Sequence, residues 1–395
     1  MARGTCTNRN KFILGPSGSG KSFFTNLFVR SYVEQGAHAV IIDVGHSYRG
    51  LCELLDGYYF TYSESDPIRF NPFFLGEEQL DTEKKESIKT LLLALWKKDD
   101  ENFSRSEYVS LSNALQAYFD YLKQHPEIFP CFDSFYEYLR DQFLVTLRHS
   151  GIKDKDFDID NFLYVLQPYY AGGEYDYLLN ARENLNLLDQ PLVVIEIDAI
   201  KDHPILFPVT TIITMQLFID KMRKLKGVRK IILIEEAWKA IMRQGMAEYV
   251  KYLFKTVRKF YGEAIVVTQE VEDIISSPIV RQAIINNSDC KILLDQSKYQ
   301  NKFDQIQEML GLTEKEKALV LSLNKSNDPK RKYKEVFISL GGMLSKVYRT
   351  EVSLEEYLAY TTEEKEKMHV QAYSKKYGSI RRGIAMLARD MRAAS

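Results

Sequence analysis

Cysteine is scarce in this chain. Cys6, Cys52, Cys131 and Cys290 are the only four in 395 residues, and no two form a C-x-x-C pair. That spacing indicates neither a zinc site nor a disulfide framework, and fits reduced cytosolic thiols. The six histidines are just as dispersed; His46, near the tip of the second candidate strand, is read as structural. No run approaches the roughly 20 apolar residues of a membrane-crossing helix, and Met1-Ala2-Arg3-Gly4 opens no signal peptide. Neither sign of charge predominates: a net charge of −1 gives the whole chain no pull toward nucleic acid. Internal repeats and low-complexity segments are lacking as well. What is present is an apolar content of 45%, enough for large buried layers and, at this length, for two or three cores.

The most informative segment is Gly15-Pro16-Ser17-Gly18-Ser19-Gly20-Lys21-Ser22, a complete G-x-x-x-x-G-K-[ST] phosphate loop. Lys11-Phe12-Ile13-Leu14 before it is a short apolar strand. Phe24, Leu27, Phe28 and Ser31 after it follow helical spacing, and Gly36 is placed to stop that helix. Between strand and helix, the glycines let backbone N–H groups curl around a β-phosphate, aided by the positive end of the helix dipole. Lys21 is expected to reach the β/γ-phosphates and Ser22 to occupy one position on Mg2+. The segment predicts binding of a nucleoside triphosphate, ATP, with Mg2+.

A second element sets the chemistry. Ile231-Ile232-Leu233-Ile234 is a continuous apolar run, as expected of a buried parallel strand, and it ends in Glu235-Glu236-Ala237-Trp238. Carboxylates at that end of such a strand lie beside the phosphate loop. Glu235 is assigned to the metal side and Glu236 to the general base that polarises the attacking water. The metal position is more often Asp, so Glu235 is expected to act through a bound water. The alternative is a pair of exposed glutamates opening a helix, where the dipole favours them. Paired acids after an apolar strand point to hydrolysis by a RecA-like ATPase rather than to a small-molecule kinase.

A third strand, Ala264-Ile265-Val266-Val267, ends in Thr268-Gln269. Gln269 at its tip can touch the γ-phosphate or the lytic water. Just upstream, Arg258 in Thr256-Val257-Arg258-Lys259-Phe260 is placed on a helix feeding this strand. It is expected near the edge of the nucleotide site, where it could serve a neighbouring subunit as an arginine finger. Lys259, Arg281 and Arg349 are the reserves.

Together the phosphate loop, the Ile-Glu-Glu-Ala-Trp block, the Arg-Lys pair and the Val-Thr-Gln strand end resemble the large traffic ATPases of type IV secretion systems. The likeness is to the TraG-type conjugation ATPases of Bacteroidetes conjugative transposons. Ile41-Ile42-Asp43-Val44-Gly45-His46-Ser47-Tyr48 is similar to that subgroup's second-strand motif, and Asn71-Pro72-Phe73 to its later Asn-Pro turn. The resemblance covers nearly the whole chain, as the C-terminal ATPase half of such a protein. With the first strand at residue 11, the long N-terminal docking domain of family members is expected to lie outside this chain. It implies a hexameric motor that powers pilus biogenesis and substrate transfer. The implied partners are other copies of itself, the inner-membrane secretion complex and coupling proteins, with DNA or pilin as possible substrate. The implied location is cytoplasmic, peripheral to the inner membrane.

The implied fold class is α/β: a RecA-like P-loop core with a mostly parallel sheet, an inserted all-α subdomain and C-terminal helices. About 210 residues separate Lys21 from Glu235, far more than a minimal core needs. Residues 1–76 and 189–350 are assigned to the two parts of the core, 77–188 to the insertion and 351–395 to a C-terminal helical segment. Strands are expected near 38–43, 58–62, 192–198, 291–294, 334–340 and 343–349, and a long helix near 204–224. Asp43, Glu235 and Gln269 would share the carboxyl edge of the sheet. Glu196 and Asp198 could pass for a metal pair on one strand face, but stand away from the triphosphate and are read as structural.

Two basic stretches remain. Residues 221–230 hold six Lys or Arg and are read as a solvated face. Residues 374–395 hold six against the single acid Asp390, with Ile380, Ile384, Leu387 and Met391 on one helical stripe. That helix is expected to pack on its own domain or a neighbouring subunit, an acidic membrane surface being the alternative. Neither stretch has the aromatic interleaving of a single-strand stacking platform. Other readings of the same catalytic parts are an FtsK/HerA-like DNA-pumping translocase and a nucleotide-gated assembly scaffold with little turnover.

Overall fold

The computed structural model describes residues 8–63, 66–75, 80–97, 103–149, 153, 156–184, 187–236, 250, 253–254, 256–269, 284–325 and 333–394. Nine strands of these residues form one sheet in the order β3-β4-β2-β5-β6-β1-β7-β8-β9. They are β1 (Lys11–Leu14), β2 (His38–Asp43), β3 (Tyr58–Thr61), β4 (Leu192–Glu196), β5 (Lys230–Glu235), β6 (Gly262–Thr268), β7 (Cys290–Leu293), β8 (Tyr333–Leu340) and β9 (Leu344–Glu351). The pairs from β3 to β7 are all parallel; β8 and β9 add an antiparallel hairpin.

The apolar runs are continuous because both faces of the sheet are covered. Alternation sends Ile13, Ile41, Leu233 and Ile265 into one core, and Leu14, Ile42, Ile234 and Val266 into the other. Helices α1 (Lys21–Glu34) and α2 (Arg49–Leu54) lie on the first face. The second face packs against α3 (Thr82–Trp96) and, later in the chain, the helix Leu206–Lys224, buried on nearly all sides. Gly36, at φ +81°, follows the end of α1 as the sequence indicated.

Between β3 and β4 the chain is helical: after α3 come α4 (Arg105–Gln124), α5 (Phe132–Tyr138), α6 (Leu144–His149) and α7 (Ile159–Leu166). Asn71 closes this excursion at its neck. Its Nδ2 donates to Pro130 O at 2.8 Å and Ala181 O at 3.0 Å, while its Oδ1 accepts from Phe73 N at 2.9 Å. Asn184 completes the clasp, donating Nδ2 to Asn71 O at 2.8 Å. The helices do not enclose a separate core. Phe73, Trp96, Tyr118 and Phe135 belong to the same apolar cluster as the sheet residues Leu14 and Ile234.

The C-terminal helices Leu354–Tyr360, Glu364–Tyr377 and Ile380–Ala393 are likewise part of a layer, covering the face that α1 and α2 share. Ile384 and Leu387 are buried in that core, as expected for packing on the chain's own domain, whereas Met391 is exposed. The basic stretch 221–230 departs from the expectation of a solvated face. Lys221 and Lys230 are buried, and Lys221 Nζ donates to Gln190 O at 2.6 Å and Leu188 O at 3.1 Å. Burial lowers the Lys221 ammonium to about 8. Arg223 pairs with Asp81 and Glu83, and Arg229 with Glu263. A lysine-rich run at a helix end facing a strand start is drawn inward to satisfy carbonyls and carboxylates.

Candidate active site

Strand register assembles the site. Leu14 lies opposite both Thr268 and Leu293, Glu235 opposite Val267, Ile42 opposite Ile234, and Asp43 opposite Glu196. The tips of six parallel strands therefore end together, with the phosphate loop rising from β1, between β6 and β7. Gly15 N donates to Thr268 O at 3.0 Å, which carries the ladder one residue into the loop. Gln269 follows Thr268 and is half-buried at this edge; its carbonyl accepts from Tyr299 Oη at 3.3 Å.

The loop then curls into α1. Gly20 holds φ +89° and stands at the N-cap, with no side chain capping the helix. The contrast is with α3 and α4, whose first N–H groups are taken by Asp81 and by a Ser104–Glu107 capping box. A side-chain cap would compete for the N–H groups that an anion needs. Ser19 Oγ is buried without a hydrogen-bond partner among the described residues. A buried hydroxyl of this kind is costly unless a further group supplies a partner, and a phosphate oxygen fits. Outside the loop, Lys298 Nζ donates to Ser17 O at 2.8 Å.

Both acids reach the loop lysine. Lys21 Nζ donates to Glu235 Oε1 at 2.6 Å and to Glu236 Oε1 at 2.9 Å. Burial alone would lower the Lys21 ammonium, but Glu235 and then Glu236 outweigh it and hold it above its ordinary value. Glu236 sits at φ +55°, a left-handed conformation that costs a non-glycine residue roughly 1 kcal/mol or more. Its N–H still donates to Val267 O at 3.3 Å. The backbone thus turns out of the sheet just where it aims the Glu236 carboxylate back at the loop. Ala237, Trp238 and Arg281 lie outside the described residues.

The loop after β2 supplies contacts that the sequence reading did not assign. Tyr48 is fully buried, and its hydroxyl donates to Glu235 Oε2. Thr25 Oγ1, on α1, lies 2.7 Å from the same hydroxyl. Ser47 Oγ is 3.4 Å from Ser22 Oγ, and Asn26 Nδ2 donates to Ser22 O at 2.7 Å and Ser47 O at 3.0 Å. Thr25 and Asn26 stand three and four positions after Ser22, on its helix face, which is the signal that could have found them. Burial, then Glu235 and Asp43, push the Tyr48 phenol well above its usual range, so it remains a protonated donor.

Asp43 and Glu196 shape that loop from below. Glu196 accepts from His46 N at 2.7 Å, Asp198 N at 2.8 Å and Gly45 N at 3.3 Å, the structural use expected of it. Asp43 accepts from Ser47 N at 2.7 Å. Burial, then Glu235 and Glu196, raise the Asp43 carboxyl well above its ordinary value. His46 Nδ1 lies 3.0 Å from Tyr59 Oη, also a structural use. Asp198 does not share a strand face with Glu196, because β4 ends and a 3-10 turn begins; it pairs with Lys201 at 2.9 Å. No group of three or more His, Cys, Asp or Glu side chains placed to hold a metal stands among the described residues.

Arg258 is the expectation that the geometry corrects. It lies in a 3-10 turn, Val257–Phe260, at the start of β6 and not on a helix beside the nucleotide site. β6 begins at Gly262 opposite Lys230 and reaches the phosphate-loop edge only at Thr268. At about 3.3 Å per residue the strand separates the arginine from its own loop by roughly 20 Å. Lys259 shares the turn, and Arg349 lies on the outer strand β9, over the ring of Tyr333 at 4.4 Å.

Comparison with known proteins agrees with this architecture. The TraG P-loop domain family matches residues 1–391, and the chain belongs to that family. Protein TraC of Escherichia coli K12 is 25% identical over 297 residues, covering 74% of this chain and 33% of TraC. The type IV secretion system protein VirB4 of Bartonella quintana is 24% identical over 318 residues, covering 79% of this chain and 36% of VirB4. The chain thus spans about a third of the length of these relatives. The solved structure of VirB4 from Thermoanaerobacter pseudethanolicus superposes with a TM-score of 0.63 at 19% identity, covering 90% of this chain and 92% of that one. The fold is the RecA-like P-loop fold, with a mostly parallel sheet.

Proposed function

We propose that this chain is an ATP-hydrolysing motor domain that energises conjugative transfer or type IV secretion. The observation that carries the reading is the convergence of Lys21, Glu235 and Glu236 at the carboxyl edge of the sheet, beside a helix start left open by Gly20. Residues 15–22 wrap the phosphates with backbone N–H groups, and Lys21 exchanges its two carboxylates for phosphate oxygens. Ser22 and Glu235 are the side chains that would hold Mg2+. When bound, that ion supplies positive charge to the β- and γ-phosphate oxygens. Glu236, half-buried and no longer occupied by Lys21, accepts a proton from the attacking water. Gln269, at the tip of the neighbouring strand, orients that water or reads the γ-phosphate.

The motor role rests on family membership and on the likeness to VirB4 and TraC. Assembly into a hexameric ring, docking on an inner-membrane secretion complex with coupling proteins, and DNA or pilin as cargo belong to the same proposal, as does a cytoplasmic position at the inner membrane. No described helix is long and apolar enough to cross a membrane. Phosphate release from ATP by the purified chain, with and without Mg2+ and with and without single- and double-stranded DNA, tests the reading. Mg2+-dependent release that DNA does not stimulate supports it. Strong DNA stimulation would favour a DNA-pumping translocase, and binding without turnover a nucleotide-gated scaffold.

A further inference from the structure

Glu235 is held by two different hands. Lys21 takes Oε1 at 2.6 Å, and the Tyr48 hydroxyl takes Oε2. The first contact ends when Lys21 turns to a phosphate; the second does not involve the nucleotide at all. Tyr48 is fully buried at the N-cap of α2, so its ring has no room to swing. Its hydroxyl also lies 2.7 Å from Thr25 Oγ1, one turn along the helix from Ser22. The backbone just before Tyr48 is fixed to the same helix turn, because Asn26 Nδ2 bridges Ser22 O and Ser47 O at 2.7 and 3.0 Å. Asp43 secures it from the sheet, accepting from Ser47 N at 2.7 Å. The Glu235 carboxylate and the Ser22 hydroxyl are thereby tied to one rigid unit built from α1 and residues 43–48.

We infer that Tyr48 is the positioning residue that keeps the Glu235 carboxylate set for the metal after Lys21 has left it. This rests on the reading of Glu235 as the metal-side acid. A carboxylate longer by one methylene than the usual aspartate has one more torsion to fix, and the Tyr48 hydroxyl on Oε2 fixes it. Outer partners of metal-binding carboxylates act in this way, and their loss costs roughly 10–100-fold in metal affinity.

The test is binding of a fluorescent, non-hydrolysable ATP analogue to the 395-residue chain, titrated with MgCl2 and repeated in EDTA. Tyr48→Phe keeps the ring and removes the hydroxyl. It is expected to raise the Mg2+ concentration for half-maximal tightening roughly tenfold while leaving affinity in EDTA unchanged. Glu235→Ala is expected to raise it at least as much, and Tyr48→Phe to add nothing in that background, since a residue acting only through Glu235 has nothing left to act on. If Glu235→Ala shifts the Mg2+ requirement and Tyr48→Phe does not, the inference fails while the metal-side assignment stands. If Glu235→Ala leaves it unshifted, the assignment fails and the inference with it. An equal shift by Tyr48→Phe in both backgrounds also overturns the inference. Should Tyr48→Phe not fold, Thr25→Val loosens the same hydroxyl from α1; a smaller rise supports the role and no rise overturns it.

Discussion

Lys21 Nζ donates to Glu235 Oε1 at 2.6 Å with both side chains buried, 7% and 1% exposed. On the proposed reading, a nucleotide takes this lysine away from its acid before the phosphates are held. Opening the pair costs something, and the phosphate and metal must outweigh it. The same contact gives Lys21 a structural duty as well, as the counter-ion of buried Glu235. Lys21→Ala is therefore expected to do two things: weaken ATP binding by 100-fold or more, roughly, and destabilise the nucleotide-free protein by about 3–5 kcal/mol by leaving a buried carboxylate unpaired. Urea unfolding without nucleotide checks the second effect. Unchanged stability would mean that the pair is not formed in the resting state.

Glu236 differs from Glu235 in exposure, with its side chain at 19%, and in standing at φ +55°. Glu236→Gln keeps the backbone geometry and a hydrogen-bonding side chain but cannot accept a proton. Binding of ATP should be retained within a few fold while turnover falls by roughly 10²-fold or more. Single-turnover kinetics with labelled ATP separate the two. Turnover at the unaltered rate would transfer the base role to Glu235.

How much of this site was legible beforehand differs residue by residue. The phosphate loop and the acids after β5 were readable because each is a short local pattern next to an apolar strand. The parallel sheet followed from continuous runs such as Ile231–Ile234, buried on both faces. Tyr48 was not assigned a role, because its contact with Glu235 spans 187 residues of sequence and depends on where α2 begins. The basic run 221–230 misled for a related reason: composition does not say that Lys221 and Arg229 turn inward to carbonyls and to Glu263. Arg258 misled because distance along the chain from β6 says nothing about which end of the strand it occupies.

At the opposite edge of the sheet, Glu263 is fully buried and accepts from Lys11 Nζ at 2.5 Å, Arg229 Nε at 2.7 Å and Tyr32 Oη at 2.9 Å. Burial would raise its carboxyl, but Lys11 and then Arg229 outweigh that and hold it below its ordinary 4.5. A carboxyl depressed on folding stabilises the native state above its unfolded value, and that stability is lost as pH falls through the folded value. Glu263→Gln is expected to cost about 3–5 kcal/mol near neutral pH, because buried Lys11 and half-buried Arg229 lose their counter-ion. The deficit relative to the unaltered protein should shrink below about pH 4.5, where the carboxyl of the unfolded chain takes up its proton first, and fade as pH falls through the lower folded value. Thermal unfolding from pH 3.5 to 7.5 measures this. A deficit that stays constant over the range would show that Glu263 acts through packing alone.

Arg258 is exposed in the turn before β6, some seven residues of strand away from its own phosphate loop. Action within its own subunit is excluded by that separation, which exceeds the reach of an arginine side chain. On the proposed ring assembly, what is left to Arg258 is action across a subunit boundary. An arginine supplied in this way stabilises charge developing on the γ-phosphoryl oxygens and is worth roughly 10³–10⁵ in rate. Arg258→Ala should accordingly leave ATP affinity of the single chain unchanged and depress turnover only where the protein is assembled. Mixing gives the decisive measurement. Arg258→Ala subunits keep Glu236, and Glu236→Gln subunits keep Arg258, so a mixed assembly contains sites with an intact base served by an intact finger. Partial recovery of turnover on mixing is the expected result. No recovery in assemblies shown by light scattering to contain both subunits would remove Arg258 from the catalytic machinery.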